Sequence, residues 1–399
     1  MTAPLTQAEH TTTPGLMAWL LNTVSGRWRM VPVLLVLCLI WAYFGFQNPV
    51  FLSSRNITNL SIQIVMTTVL ALGLLFVLLI GELDLSVAVS SAVSAAVAAD
   101  LAVNSGLGVV LCFLVALVVG GVIGCVQGLI VEKFRAPAFI VTLGVSLALQ
   151  GVLLDLLPES NMISLVGLPL AAVSTTYLPA LAGYGLLVLG LLVFGILMAL
   201  SHRAKRSASL HSGFGRHVAA PLLVVAVAGF AVVGVMNSYR GVPLTVALLF
   251  VLLAALSYVT TQTRFGLYLY AIGASREAAR RAGIPVGAIR VVAFTLTGVL
   301  AALAGMIAAT RVMAVSTDSA DSTMVLEAIA AAVIGGVSLF GGRGSVWSAL
   351  VGALVMGSIT NGMLLISAST QTRLEVQGAI LVLAVVLDAM ISRRASLRH

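Results

Sequence analysis

Charged residues are scarce in this 399-residue chain: Asp, Glu, Lys and Arg make up 9%, whereas 60% of residues are hydrophobic. A soluble domain carries about 25% charged residues, so this composition cannot supply a water-facing surface around a packed core. We therefore expect a membrane protein. The 38 glycines against 11 prolines fit closely packed transmembrane helices. A disordered chain, a collagen-like repeat and a disulfide-built secreted domain are excluded.

Cysteine, lysine and histidine are also rare, and their positions argue against catalysis. Cys38, Cys112 and Cys125 lie in apolar runs without a Cys-x-x-Cys pair, so we interpret them as small hydrophobic residues. Glycine precedes neither of the two lysines, so no Walker-type ATP-binding loop is present. The five histidines lie in the tails or in the loop 201–217, without metal-site spacing. We expect no enzyme activity, no cofactor and no metal site in this chain.

The segment 341–345, Gly-Gly-Arg-Gly-Ser, superficially looks like a phosphate-binding loop. It joins two apolar segments and no strand precedes it, whereas a phosphate loop connects a strand to a helix. Clustered glycines are typical of turns. We predict a tight cytoplasmic turn.

Twelve segments are candidate transmembrane helices on the criterion of about 20 apolar residues for each crossing. They are residues 30–46, 61–80, 85–103, 107–131, 138–157, 178–200, 218–236, 242–261, 291–310, 323–340, 346–366 and 374–391. Segment 323–340 is short and could instead be a half-helix or a re-entrant piece. Residues 163–172 are placed outside the membrane, although they could dip into it. The predicted fold is an all-α polytopic membrane protein.

The basic residues predict the direction of these segments. With twelve crossings, 17 of the 21 Lys and Arg residues fall on one face, which the positive-inside rule makes cytoplasmic. Residues 1–29 are then a cytoplasmic tail rather than a signal peptide, residues 30–392 one transmembrane domain, and residues 393–399 a second cytoplasmic tail. The net charge of +8 reflects membrane orientation, with lipid and not nucleic acid as the partner.

Two carboxylates, Glu82 and Asp84, stand between apolar runs in Gly-Glu-Leu-Asp-Leu-Ser. An intramembrane charge costs roughly 2.5–3.5 kcal/mol, so each needs a reason. Three interpretations are open: an acidic interfacial turn, a broken helix whose carboxylates cap backbone N–H groups near a pathway, and a proton relay. Asp84 precedes an apolar run as an N-cap would, which favours the broken helix.

Glycines at four-residue spacing, Gly120, Gly124 and Gly128, line one face of a predicted helix and allow another backbone to approach closely. Gln127 is then expected to face protein rather than lipid. Polar side chains within spans either line a translocation pathway or hold helices together. The candidates for a polar pathway are Gln63, Glu82, Asp84, Gln127, Thr142 and Asn361.

The longest segment between predicted spans, residues 262–290, contains a short self-terminating helix. Ser275 can cap its start, where Glu277 also lies, and Gly283 can stop it after two arginines. A membrane-surface helix with basic residues on anionic headgroups is one interpretation. The helix has too little apolar face to lie well in lipid, so docking on a cytoplasmic protein is favoured.

Five motifs resemble the permease subunits of bacterial ABC importers for monosaccharides, of the ribose and xylose type. They are GELDLSV at 81–87, PAFIVTLG at 137–144, AIGASREAARRAGI at 271–284, the glycine-bounded stretch 298–305, and LEAIAAAVIGGVSLFGGRG at 326–344. The resemblance covers most of residues 60–160 and 260–392. Two departures stand out: Glu82 replaces a residue that is usually small or apolar, and residues 185–240 look like an inserted helix pair, as in xylose permeases.

The resemblance implies a multi-pass protein of the bacterial inner membrane that works with a second permease copy, two cytoplasmic ATP-binding subunits and an extracytoplasmic sugar-binding protein. A xylose-like pentose is the favoured cargo. The loop 262–290 would couple the permease to the ATPases. The implied coupling residues are Gly273, Ser275, Arg276, Glu277, Ala278, Ala279, Arg280, Arg281, Gly283 and Ile284.

Three alternatives stay open from the residues alone. An ion- or proton-coupled secondary transporter would need a titratable midplane carboxylate, for which Glu82 and Asp84 are the candidates. A non-transporting scaffold would leave the polar residues within the spans idle. A permease of the same family could carry branched-chain amino acids or nucleosides instead of a sugar.

Overall fold

The computed structural model describes residues 30–207 and 218–396. Over these residues the chain forms fifteen α-helices and only four strands of two or three residues. The prediction of an all-α polytopic membrane protein is confirmed. The predicted tail 1–29, the last three residues of the tail 393–399 and four histidines, His10, His211, His217 and His399, lie outside the described residues.

Eight of the described helices are long and apolar enough to cross a membrane. They are α2 (Ser54–Leu79), α3 (Val87–Asn104), α4 (Val109–Lys133), α5 (Ala138–Leu156), α8 (Ala220–Asn237), α9 (Leu244–Gln262), α12 (Val286–Val312) and α14 (Val346–Leu365). The others are α1 (Met30–Gln47), α6 (Ala172–Thr175), α7 (Ala180–Ser207), α10 (Arg264–Ala274), α11 (Arg276–Arg281), α13 (Ser322–Ile334) and α15 (Thr370–Ser396). Twelve crossings with cytoplasmic termini stay a prediction.

The predicted span 323–340 is not one continuous membrane-crossing helix. Helix α13 has 13 residues, which rise about 20 Å, whereas the hydrocarbon layer is roughly 30 Å thick. The chain then turns through residues 335–345, where four glycines take positive φ. A short helix followed by a turn fits both a half-helix and a re-entrant piece, so both interpretations stay open.

Helix α2 runs through the centre of the protein, and nearly all its side chains from Val65 to Leu79 are buried. It packs against α12, where the Thr297 hydroxyl donates a hydrogen bond to the Gly73 carbonyl oxygen at 2.8 Å. A helix that is apolar on every side is stable only when it is covered on every side. Here the surrounding helices cover it.

Helices α4 and α12 meet along what we call the glycine seam. A Cβ added to Gly120 or Gly124 would overlap the carbonyl oxygen of Gly298 or of Phe294. A Cβ on Gly298 would in turn overlap the Gly120 carbonyl oxygen. Backbones approach this closely only where side chains are absent. The predicted small-residue packing face of Gly120, Gly124 and Gly128 is confirmed.

Helices α7 and α8 form a packed pair that overlaps the region predicted as an inserted helix pair, 185–240, with α7 beginning five residues before it. The rings of Tyr184 and Phe230 stack with their centroids 6.1 Å apart, and Gly229 lies against Leu187. Both helices, like α4 and α5, carry rows of exposed leucine and valine side chains. A contiguous apolar surface of this kind suits contact with lipid.

Two small antiparallel sheets lie at the end of the molecule where α5 and α12 stop. Strand β1 (Met162–Ser164) pairs with β4 (Ala314–Ser316), and β2 (Tyr177–Leu178) pairs with β3 (Val242–Pro243). A 3-10 turn at Pro169–Ala171 follows β1. The segment 163–172, whose position was left open, is therefore a strand and a turn rather than a helix.

Substituting Gly124→Ala is expected to destabilise the protein by about 1–3 kcal/mol, because overpacking a closed interface costs that much. The new methyl group would overlap the Phe294 carbonyl oxygen. Gly144→Ala on α5 is the matched control, since its Cβ would meet no atom within 4 Å. The thermal unfolding midpoint in detergent measures both variants. If Gly124→Ala melted together with the control, the glycine seam would not be a close contact.

Candidate functional site

The segment 81–86 breaks the helical path between α2 and α3. Gly81 adopts a φ of +74°, which favours glycine. The Asp84 Oδ1 accepts hydrogen bonds from the Ser86 backbone N–H at 2.8 Å and from the Ser86 hydroxyl at 2.7 Å. Ser86, and not Asp84, is the N-cap residue of α3. The broken helix is as predicted, but Asp84 acts two residues earlier, through a side-chain turn.

A buried polar cluster surrounds Asp84. Gln127 on α4 donates from Nε2 to the Ser86 hydroxyl at 2.7 Å, and Thr142 on α5 accepts from the Leu85 N–H at 3.1 Å. The Asp84, Ser86, Gln127 and Thr142 side chains are at most 2% exposed, so Gln127 faces protein as predicted. Low local polarity makes such bonds strong and their loss costly. The cluster ties the start of α3 to two neighbouring helices.

Gln63 and Asn361 lie apart from this cluster. Asn361 on α14 accepts a hydrogen bond from Asn56 Nδ2 at 2.9 Å, close to the start of α2 rather than its end. Gln63 is half-buried on α2. The structure therefore brings three of the six candidate pathway residues together, Asp84, Gln127 and Thr142, and leaves Gln63 and Asn361 elsewhere.

Glu82, the remaining candidate, pairs with two arginines. Its Oε1 accepts from Arg276 Nη2 at 2.6 Å and also from Arg290 Nη2. Arg290 Nη1 reaches Glu132 Oε2 at 3.4 Å. The Glu82 and Arg290 side chains are each 10% exposed, whereas Arg276 is 41% exposed. We call these four residues the Glu82 junction; it joins the end of α2 to α4, α11 and α12.

Helix α11 has the limits that the sequence predicts. The Ser275 hydroxyl accepts from the Ala278 N–H at 3.2 Å as the N-cap, and Gly283 follows the helix with a φ of +78°. Glu277 pairs with Arg281 one turn later, and both side chains are more than three-quarters exposed. Of the implied coupling residues 275–283, Ala279 is the one that is buried.

Backbone contacts at the end of α10, the helix that precedes α11, hold α11 in place. At the end of α10, a Cβ on Gly273 would overlap the Leu79 carbonyl oxygen, and Gly342 donates its N–H to the same oxygen at 2.9 Å. The Tyr270 hydroxyl donates to the Gly344 carbonyl oxygen at 2.9 Å. Burial raises the pKa of Tyr270, so the phenol stays protonated and keeps donating. The prediction of a tight turn at 341–345 is confirmed.

Sequence reasoning missed the partners of these groups. Arg290 was counted only as a loop charge, yet α12 begins at Val286 and places Arg290 inside its first turns. Glu132 was not singled out. Both lie one turn from the polar end of an apolar run, and that position is the only signal the sequence offers. Asp388, which the sequence predicts at the membrane interface, is buried and accepts from the Leu339 N–H at 3.0 Å, bracing the turn 335–345.

A second missed carboxylate, Glu327, lies on α13. It accepts from the Thr360 hydroxyl at 2.8 Å, and Thr360 accepts from Gln377 Nε2 at 3.1 Å. Glu327 and Gln377 border a cavity of about 80 Å³ between α13, α14 and α15. A carboxylate within an apolar helix is a sequence signal in its own right, and here neutral partners satisfy it.

Comparison with known proteins places this arrangement in a transport family. The sequence model of the family described as "Branched-chain amino acid transport system / permease component" matches residues 56–385. The xylose transport system permease protein XylH of Escherichia coli K12 is 36% identical over 86% of this chain and 87% of its own length. XylH of Haemophilus influenzae is 34% identical over 89% of this chain and 95% of its own length.

The ribose import permease protein RbsC of Escherichia coli K12 is 31% identical over 92% of this chain and 98% of its own length. No solved structure matches the chain. The similarity to both sugar permeases extends over nearly the whole chain.

Replacing Thr142→Val is expected to lower the free energy of unfolding by about 1–3 kcal/mol, because it leaves the buried Leu85 N–H without an acceptor. Thr295→Val on α12 is the matched control. Its hydroxyl bonds only to the Val291 carbonyl of its own helix, so a change within about 0.5 kcal/mol is expected. Thermal unfolding in detergent compares the two; equal midpoints would contradict the structural role of the cluster.

Proposed function

We infer that this chain, which belongs to the permease-component family of branched-chain amino acid transport systems, is the membrane-spanning subunit of an ABC importer for a monosaccharide. It is a multi-pass protein of the bacterial plasma membrane and a transport subunit rather than an enzyme. The importer includes ATP-binding and substrate-binding partners. A xylose-like pentose is the favoured cargo, because the xylose permeases have a higher identity to this chain than the ribose permeases.

Helix α11 is the proposed contact with the ATP-binding subunits. In this proposal those subunits hydrolyse ATP and this chain does not. The observation that supports this proposal is that α11 is exposed and is also anchored to the membrane domain. Glu277, Arg280 and Arg281 extend outward, while Ala279 is buried and Arg276 is paired with Glu82. A force applied to such a helix reaches the membrane helices instead of bending a loose loop.

Docking on a protein is favoured over lying on the membrane surface. Helix α11 has six residues, Arg-Glu-Ala-Ala-Arg-Arg, with no large apolar side chain. A surface helix needs an apolar face buried in the headgroup region. A short face of alternating charge instead suits a complementary protein groove, where it sets both orientation and specificity.

A homodimer completes the proposed assembly. Two ATP-binding subunits, each receiving one α11, require two permease copies, and closed symmetric dimers are the commonest oligomers. The exposed leucine and valine rows of α4, α5, α7 and α8 provide the lipid contacts. An extracytoplasmic sugar-binding protein would then dock at the end that carries the two small sheets.

The ion-coupled alternative is not favoured by the family. It relied on a titratable carboxylate at Glu82 or Asp84, and Glu82 is paired with two arginines. Branched-chain amino acids and nucleosides, the other cargoes considered, are less well supported, because the relatives compared with this chain are xylose and ribose permeases.

The double substitution Glu277→Ala, Arg280→Ala is expected to abolish sugar uptake and co-purification of the ATP-binding subunits, while the protein still inserts. Both side chains are exposed and Arg280 has no ion pair among the described residues, so folding does not depend on them. Pull-down of the ATP-binding subunits and uptake of labelled sugar measure the effect.

The control removes the same charges at the opposite end of the molecule, with Arg55→Ala and Glu159→Ala, which are also exposed. This variant is expected to retain the ATP-binding subunits in full. Normal co-purification and uptake by the α11 variant would refute the docking role.

Vesicles containing the full complex, with binding protein supplied, are expected to accumulate labelled xylose only when ATP is present. Ribose, leucine and a nucleoside serve as competitors, and an excess of unlabelled xylose should reduce uptake most strongly. Uptake by this chain alone, driven by a pH gradient without ATP, would overturn the importer and favour a secondary transporter.

A further inference from the structure

Glu82 is the one carboxylate of the described residues that contacts both α11 and α12. It accepts from Arg276, the first residue of α11, at 2.6 Å and from Arg290, in the first turns of α12. Arg276 and Arg290 are 14 residues apart along the chain, on either side of the Gly283 turn. A single side chain therefore spans the break between the proposed docking helix and a 27-residue membrane helix.

The two ion pairs of Glu82 differ in how easily they can open. Arg290 is 10% exposed and also contacts Glu132 at 3.4 Å. Separating Arg290 from Glu82 would leave a buried charge without its main partner, which is strongly unfavourable. Arg276 is 41% exposed, so water can replace Glu82 as its partner at low cost. Of the two contacts, the one with Arg276 therefore costs less to open.

The junction is neutral with Arg276 in place and has a net charge of −1 when Arg276 leaves, but Glu82 keeps a partner in both states. Glu82 and Glu132 carry two negative charges, and Arg276 and Arg290 carry two positive charges. Without Arg276, Glu82 keeps the closely held guanidinium of Arg290. Opening the Glu82–Arg276 contact therefore leaves no buried carboxylate without a partner. This distinguishes it from a fixed structural ion pair.

Glu82 is also directly linked to the polar cluster. It precedes Asp84 by two residues, in a non-helical segment without the stiffness of a helix. Asp84 holds the Ser86 N–H and hydroxyl, and Ser86 accepts from Gln127 on α4. A displacement of Glu82 can therefore reach the first turn of α3 and then α4 along the backbone to Asp84 and through the Asp84–Ser86 and Ser86–Gln127 hydrogen bonds.

We propose that Glu82 is a positioning residue that transmits movement of α11 to the polar cluster around Asp84, with Arg276 as its releasable partner. The inference rests on the proposed function, because α11 must first receive force from an ATP-binding subunit. It assigns to Glu82 a task beyond docking: the conversion of ATP hydrolysis into a change at the start of α3.

The test uses the complete complex in vesicles, with Arg276→Gln, Glu82→Gln and the two together. Three quantities are measured: co-purified ATP-binding subunits, ATP hydrolysis, and sugar transported per ATP. Each single variant is expected to keep the ATP-binding subunits but to transport about tenfold less sugar per ATP, the effect of losing one charge-assisted hydrogen bond in one state. Because both act on one contact, the double variant should be no worse than Glu82→Gln.

Two further variants separate coupling from simple stabilisation. Arg276→Lys retains the positive charge and should recover most of the transport per ATP. Lys133→Gln removes a charge at the same end of the molecule and breaks no ion pair of the described residues, so its transport per ATP should be unchanged. If Glu82→Gln does not fold, Arg276→Gln still tests the proposal. The Arg276 side chain is half-exposed, and replacing it leaves the buried Glu82–Arg290 pair intact.

The outcomes distinguish this proposal from the docking role of α11. Normal transport per ATP in Arg276→Gln would overturn the positioning role of Glu82, even if Glu277→Ala, Arg280→Ala loses the ATP-binding subunits. A lower melting temperature in Arg276→Gln with unchanged transport per ATP would likewise reduce the contact to a structural one. Retention of the ATP-binding subunits and uptake by the Glu277→Ala, Arg280→Ala variant would refute the docking role itself.

Discussion

The ion pair between Glu82 and Arg290 is the interaction on which the functional end of this protein depends. Both side chains are largely removed from solvent in a chain with few charges. Neither could stay charged there alone, since burying an unpaired charge costs several kcal/mol. Together they fix the end of α2 against the start of α12, and the position of every nearby group follows: Glu132, the exposed Arg276, and the Asp84 segment beyond.

This arrangement explains how a chain without an ATP-binding loop can still serve an ATP-driven importer. The glycine contacts of Gly273 and Gly342 with Leu79 bring three separate segments together at backbone distance. Side chains add the Glu82 junction and the bond from Tyr270 to Gly344. The exposed α11 is therefore part of the membrane domain's own framework rather than an independent loop.

Local features were readable from the sequence, whereas distant pairings were not. The Ser275 cap, the Gly283 stop and the glycine face of α4 depend on spacing within one element, and each is found as predicted. Glu82 and Arg290 are 208 residues apart, and their meeting depends on how two helices are aligned. Asp84 was predicted to be the N-cap because aspartate occurs both at helix N-caps and in Asx turns. Only the backbone conformation distinguishes the two.

The resemblance of short motifs to sugar permeases proved informative for a physical reason. Those motifs, around 81–87, 271–284 and 326–344, are the segments that converge on the Glu82 end of the molecule. Residues that must fit one another from three parts of a chain cannot vary independently. A helix whose exposed side chains contact only lipid needs to stay apolar and little more, so it offers fewer residue-specific motifs.

The glycine seam between α4 and α12 has a mechanical consequence. With no side chains to rearrange, two backbones in direct contact have one register and no intermediate positions through which to slide. The two helices therefore behave as a single rigid strut across the bilayer. Any rearrangement of the membrane helices is therefore expected to carry α4 and α12 together, with the short non-helical connections at their ends taking up the change in backbone angles.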